Sequence, residues 1–263
     1  MVSSIRYWLQ ATGLAIPSEH RVDGRTQLKW TTLARFIVER DPYLEDIATL
    51  WLLHLELSSA RDVATFWYWA FNECDAVAFS EDDLARGFLK HAATIAEEPL
   101  NEHSVKKDAH VFLRTYRASD SSTNRVLDDP LDCPLSALKL LRKSESVKPY
   151  AFVLGSKSNL PLAIFAYALL GYRERTKPGM ESVSIDELRW APCAPGRLLL
   201  LDAPSLVQYA QLLEDYSKGA WVRLHQTAGL RNLYIGQLDM YEPLKLYYER
   251  QRGHGGCPSE GCF

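Results

Sequence analysis

No run of apolar residues in this 263-residue chain approaches the roughly 20 needed to cross a bilayer. The longest, Ile47 to Leu57, is broken by His54 and Glu56 and reads as a buried helix. The first residues lack a basic stretch followed by an apolar core, so no secretion signal is expected. Cysteine is sparse, scattered and odd in number (Cys74, Cys133, Cys193, Cys257 and Cys262). That argues against a disulfide framework and for reduced thiols in a cytoplasmic protein with no membrane partner. A phosphate-cradling glycine loop, a dinucleotide fingerprint and a nucleophile elbow are all missing. The net charge of −3 supplies no global pull toward nucleic acid.

What remains is an ordinary globular composition, 47% apolar and 24% charged, long enough for a sizeable core and two domains. Aromatic residues crowd the first third: Tyr7-Trp8, Tyr43, Trp51 and the run Phe66-Trp67-Tyr68-Trp69 with Phe71. Each Trp brings a large apolar area and one N–H that needs a partner. Consecutive aromatics on a helix point in different directions, so core packing is favoured over a platform for stacked bases. Charge is uneven as well. Residues 1–40 carry six Arg and Lys against three Asp and Glu, a local +3 that can bind phosphate although the whole chain is acidic.

The pattern along the chain is mainly α with small β-hairpins, an α+β class. Val2 to Gly13 reads as a short helix stopped by glycine. A hairpin follows from Leu14 to Trp30, turning at Asp23-Gly24. Thr31 or Thr32 then caps a helix through Glu39, and the segment 1–40 resembles the latter part of a winged helix. In the helical middle, 41–117, Asp41-Pro42 is expected to open a helix over 42–58. Further helices are expected near 60–73, 80–96 and 102–117. Residues 118–149 read as a linker, polar from Ala118 to Pro130, with a short helix over Pro134–Lys143. The segment 150–248 reads as a second winged-helix-like unit, from a strand at Tyr150–Leu154 to a hairpin turning at Thr227–Gly229. The tail, 249–263, is expected to be flexible.

Candidate nucleic-acid contacts follow from this pattern. Ser3, Ser4, Arg6 and Gln10 lie on the polar side of the opening helix, and Arg21, Arg25 and Lys29 lie on the first hairpin. Arg223 and Arg231, with His225 between them, lie on the second. In a DNA reader such cations hold phosphates while a helix enters the major groove. A solvated hairpin with ordinary surface charge is the alternative. Asp41, Glu45 and Asp46 are candidates for a divalent metal, Mg²⁺ or Mn²⁺, since phosphodiester cleavage needs clustered hard oxygen ligands. Helix capping accounts for the same residues and is the stronger reading. His54 reads as a satisfied core histidine. His254, Cys257 and Cys262 make at most half a zinc site.

Several phrases together resemble a bacterial domain-of-unknown-function family. They are Met1-Val2-Ser3-Ser4-Ile5-Arg6-Tyr7-Trp8-Leu9, Arg40-Asp41-Pro42-Tyr43-Leu44-Glu45-Asp46 and Thr49-Leu50-Trp51-Leu52-Leu53-His54. Trp67-Tyr68-Trp69, Leu131-Asp132-Cys133-Pro134-Leu135 and Thr227-Ala228-Gly229-Leu230-Arg231 carry it to about residue 248. That family includes the DNA-nicking component of single-strand DNA phosphorothioation systems. The resemblance implies a subunit that binds double-stranded DNA and nicks it, so that sulfur replaces a phosphate oxygen, within a phage-defence system. It implies sulfur-transfer and ATPase subunits as partners, and relatives with a further segment ahead of Met1. It assigns no catalytic residue. A non-catalytic adaptor of the same system and a winged-helix transcription regulator are the alternative readings.

Overall fold

A computed structural model describes residues 2–22, 24–95, 98–117, 133–227 and 230–253. The chain divides into two compact units, Met1–Leu154 and Gly155–Phe263. The class is mixed α+β, with helices predominating and small antiparallel sheets.

In the first unit, helix α1 (Val2–Ala11) ends where Gly13 turns left-handed at φ +67°, a conformation that costs glycine little. A Cβ at Gly13 would also meet the Glu56 side chain at 2.9 Å. Strands β1 (Ala15–Val22) and β2 (Arg25–Trp30) form an antiparallel hairpin. Helix α2 (Thr32–Arg40) follows, and Thr31 caps it by accepting the Ala34 N–H at 3.1 Å. The Thr31 hydroxyl also donates to the Gly13 carbonyl at 2.7 Å, pinning the start of α2 to the end of α1.

Helix α3 (Ile47–Ser59) begins later than the sequence suggests. Asp41 does not cap it. Its two carboxylate oxygens accept the Glu45 and Asp46 N–H groups, each at 3.0 Å, and close a tight turn. Leu44 sits in that turn at φ +57°, which no continuing helix permits. Asp46 is the cap, accepting the Ala48 N–H at 2.8 Å.

Helix α4 (Thr65–Asn72), strand β3 (Ala78–Phe79) and helices α5 (Glu81–Ile95) and α6 (Glu102–Tyr116) come next. The expected helix over Pro134–Lys143 is instead a 3-10 turn, Pro134–Leu138, followed by strand β4 (Leu141–Lys143). Lys139, at φ +54°, separates them. Strand β5 (Tyr150–Phe152) lies between β3 and β4 in a three-stranded antiparallel sheet. The polar stretch Ala118–Pro130 lies outside the described residues.

Tilted and edge-to-face rings make the core of this unit. Phe112, wholly buried, lies within 6.4 Å of the rings of Phe66, Trp67, Phe71, Tyr116 and Phe152. The aromatic run of α4 is therefore core, as its helical spacing implies. His54 is fully buried among these rings, and its Nδ1 shares a 2.8 Å hydrogen bond with the Tyr116 hydroxyl. Burial pushes that hydroxyl well above its ordinary pKa, so it stays protonated.

In the second unit, helix α7 (Leu162–Thr176) leads to strand β6 (Ser182–Ser184) and helix α8 (Ile185–Trp190), capped by Ser184. A short turn of helix, α9 (Pro195–Leu198), precedes α10 (Ala203–Ser217). Strands β7 (Val222–Thr227) and β8 (Leu230–Ile235) pair, with β6 added against β8. Helix α11 (Glu242–Gly253) closes the unit, so residues 249–253 of the expected flexible tail are helical. The polar head of Lys157 is satisfied inside this unit, its Nζ donating to the carbonyls of Gly155 at 2.6 Å and Leu200 at 3.1 Å.

Because Phe112 touches five aromatic neighbours and no water, Phe112→Ala is expected to lower stability by about 3–5 kcal/mol. Urea unfolding checks this; a loss below about 1 kcal/mol would show that the ring cluster is not the core.

Candidate nucleic-acid interface

The first hairpin is almost entirely solvent-exposed, and its faces are set by strand register. Val22 pairs with Arg25 at the end of the hairpin, and Gly24 turns there at φ +73°. Ile16 opposes Lys29, and Pro17 opposes Leu28. Side chains alternate along a strand, so Arg25, Gln27 and Lys29 share one face, all exposed. Thr26 and Leu28, half-buried, turn the other way. Arg21 pairs with Thr26 across a register shift and so lies on the opposite face from Arg25 and Lys29. Among the described residues, none of these three cations has an ion-pair or hydrogen-bond partner.

Helix α1 braces this hairpin. Arg6 donates from Nη2 to the Thr26 carbonyl at 2.7 Å, so its guanidinium is partly committed to structure. Gln10 donates to the Arg6 carbonyl at 3.0 Å, within its own helix. Ser3 and Ser4 are exposed. On the buried side, Trp8 packs edge-to-face on Trp67 at 5.6 Å and 83°, which fixes the helix to the ring core. The result is a braced basic projection with Arg25, Gln27 and Lys29 together on one exposed face.

The second hairpin separates its two candidates in the same way. Arg223 opposes Tyr234 and His225 opposes Asn232 on the outer face. Arg231, opposite Gln226, shares a face with Leu224 and the buried Leu233 and Val222. Arg223 and Arg231 therefore do not converge. The Arg223 Nε donates to the Gly219 carbonyl at 2.8 Å, while Tyr234 stands 47% exposed.

A family model for a protein of unknown function, DUF4007, matches residues 1–248. The chain belongs to this family. No curated protein matches it. Two solved structures are similar. A magnesium ion-bound SspB crystal structure has a TM-score of 0.85 and 27% identity, covering 98% of this chain and 78% of that one. An SspB crystal structure has a TM-score of 0.82 and 25% identity, covering 98% of this chain and 77% of that one. The mixed α+β architecture of this DUF4007 chain is thus the architecture of SspB.

Among the described residues, Asp41, Glu45 and Asp46 form no three-ligand group. Asp41 is buried with both oxygens on backbone amides, and Asp46 holds the start of α3. Glu45 remains exposed beside them. Among the described residues no three His, Cys, Asp or Glu side chains converge where a metal would be held. His254, Cys257 and Cys262 lie outside the described residues.

Residues that no sequence motif marks gather elsewhere in the first unit. His110, Arg114 and Arg117 lie four and three residues apart on α6 and at its C-cap, and line a concave pocket. Their i, i+4, i+7 spacing was the available signal, but a polar helix face looks the same in sequence.

Since Asp41 satisfies two backbone N–H groups, Asp41→Ala is expected to cost about 1–3 kcal/mol in chemical unfolding, and Asp41→Asn less, because one acceptor oxygen remains. Unchanged stability with a loss of divalent-ion binding would contradict this turn-closing role.

Proposed function

We propose that this chain is the DNA-binding, DNA-nicking subunit of a bacterial DNA phosphorothioation system. The observation that carries the reading is the first hairpin: an exposed, braced β-ribbon with three cations that pair with nothing among the described residues. A cation without a protein partner is free to neutralise a phosphate, and each such contact releases condensed counterions from DNA. The likeness to SspB and the family motifs support a role in a phosphorothioation system. In the second unit, the order helix α7, strand β6, helices α8 and α10, hairpin β7–β8 supports a winged-helix reading. In the first unit, α1, the hairpin and α2 support a partial one.

In this reading duplex DNA lies across β2. Arg25 and Lys29 contact phosphates, and Gln27 lies between them at the right level to meet sugar or base edges. Ser3 and Ser4 at the start of α1 extend the contact, while Arg6 holds helix and hairpin together. Arg21 meets the duplex only where it bends around the ribbon. The nick itself is assigned to no residue. Sulfur-transfer and ATPase subunits are the partners such a system requires.

A second reading, a non-catalytic adaptor, is favoured by the outer face of the β7–β8 hairpin. There an exposed Tyr234 packs edge-to-face on His225 at 5.9 Å beside Arg223, a composition typical of protein interfaces.

Gel-shift binding to duplex DNA across a salt series tests the reading. The double variant Arg25→Ala, Lys29→Ala is expected to bind more weakly and to flatten the log–log salt slope by about 2, roughly 0.9 per lost phosphate contact. Arg21→Ala is expected to change it less. Supercoiled plasmid with Mg²⁺ or Mn²⁺ is expected to convert to the open circle. Binding without conversion selects the adaptor, and an unchanged slope removes the hairpin from the interface.

A further inference from the structure

The first unit holds a cavity of about 480 Å³, within the roughly 300–1,000 Å³ typical of small-ligand sites. Its walls differ in character. Leu50 and Leu53 of α3, with Leu135 of the 3-10 turn, form an apolar wall; Trp8 of α1 brings an aromatic ring whose position Trp67 fixes. Opposite, α6 and its C-cap present Arg114 and Arg117. Residues three apart on a helix place their Cβ atoms about 5–6 Å from each other, close enough for two guanidiniums to grip one anion. Arg117 is held at the rim by donating from Nη1 to the Tyr150 hydroxyl at 3.3 Å. Arg114 has no ion-pair partner among the described residues. His110, at the same edge, is turned to Glu81, its Nδ1 3.2 Å from the carboxylate.

An apolar slot with an aromatic ring on one side and a double-guanidinium clamp on the other suits a flat ring attached to a phosphate. We propose that this pocket binds one nucleotide, its base against Trp8 and the leucine wall and its phosphate between Arg114 and Arg117. The hydroxyl of Thr12 is spent on the Trp8 carbonyl at 2.7 Å, and that of Thr115 on the Val111 carbonyl at 2.8 Å. Neither is left to donate to the base. Recognition therefore rests on stacking and phosphate, and tolerates any base. The nucleotide is either a free monophosphate or one extruded from a DNA strand; the second source rests on the DNA-binding reading above, the first does not.

The test is a fluorescence titration of the full chain with 2-aminopurine deoxyribonucleoside monophosphate, and with a duplex carrying one unpaired 2-aminopurine. Arg114→Ala is expected to weaken binding of the monophosphate at least tenfold. Val111 is exposed at the pocket rim, so Val111→Trp is expected to fill the pocket without unfolding the chain, as circular dichroism checks, and to abolish binding. Inorganic phosphate is expected to compete only at far higher concentration. A duplex signal that Val111→Trp removes identifies the strand as the source; a monophosphate signal alone identifies the free nucleotide. No saturable binding of either probe overturns the proposal, as does binding that both folded variants leave unchanged. Duplex binding that needs Arg25 and Lys29 yet ignores Val111→Trp would overturn the pocket and leave the hairpin standing.

Discussion

The first unit depends on one interaction, the packing of tilted and edge-to-face aromatic rings around Phe112. Rings in this arrangement contribute about 0.5–1.5 kcal/mol per pair beyond the area they bury. Here the pairs form a continuous set that reaches from β5 through α6 and α4 to α1. Trp8 carries the set onto α1, and through it the core fixes a helix that is otherwise half-exposed. Because Arg6 on that helix holds the Thr26 carbonyl, the position of the hairpin is an indirect consequence of ring packing in the core. A chain with net charge −3 thereby presents a firm basic ribbon at one place. The remainder of the chain is acidic, so the positive field is local to that ribbon.

His54 shows how the core tolerates polarity. A buried imidazole without a partner would be costly. The Tyr116 hydroxyl, kept protonated by burial, meets Nδ1, and the rings of Trp51, Phe71 and Tyr116 surround it within 5.7 Å. The same helix α6 that carries Tyr116 inward carries Arg114 outward toward the pocket. One helix thus serves both core and cavity, and a change in its packing would be felt at both.

Much of this was legible in the sequence where the determining physics is local. Gly13, Gly24 and Thr31 each specify a turn or a helix end within a few residues, and the structure places each where its chemistry implies. The start of α3 misled because two aspartates compete to be the cap. Both precede helix-compatible residues, and only the left-handed Leu44 between them gives the helix to Asp46. The short strands β3 and β4 were invisible because a two- or three-residue strand exists only through its partner, here β5. The pocket was hidden for the same reason on a larger scale: α1, α3, α6 and the 3-10 turn contribute to it from residues 8 to 135. Face assignment on the hairpin was also beyond composition. Strand alternation, with Arg21 opposite Thr26, puts Arg21 on the face away from Arg25 and Lys29, and a count of cations cannot show that.

The central claim is that a ring core holds α1 and the first hairpin as one DNA-facing surface. Hydrogen–deuterium exchange of the full chain, with and without duplex DNA, tests it most directly. The account predicts slowed exchange over Arg25–Trp30 and the first turns of α1 on DNA binding, with the α4 and α6 core protected in both states. Protection confined to the second unit, or none in the hairpin while DNA is bound, would contradict it.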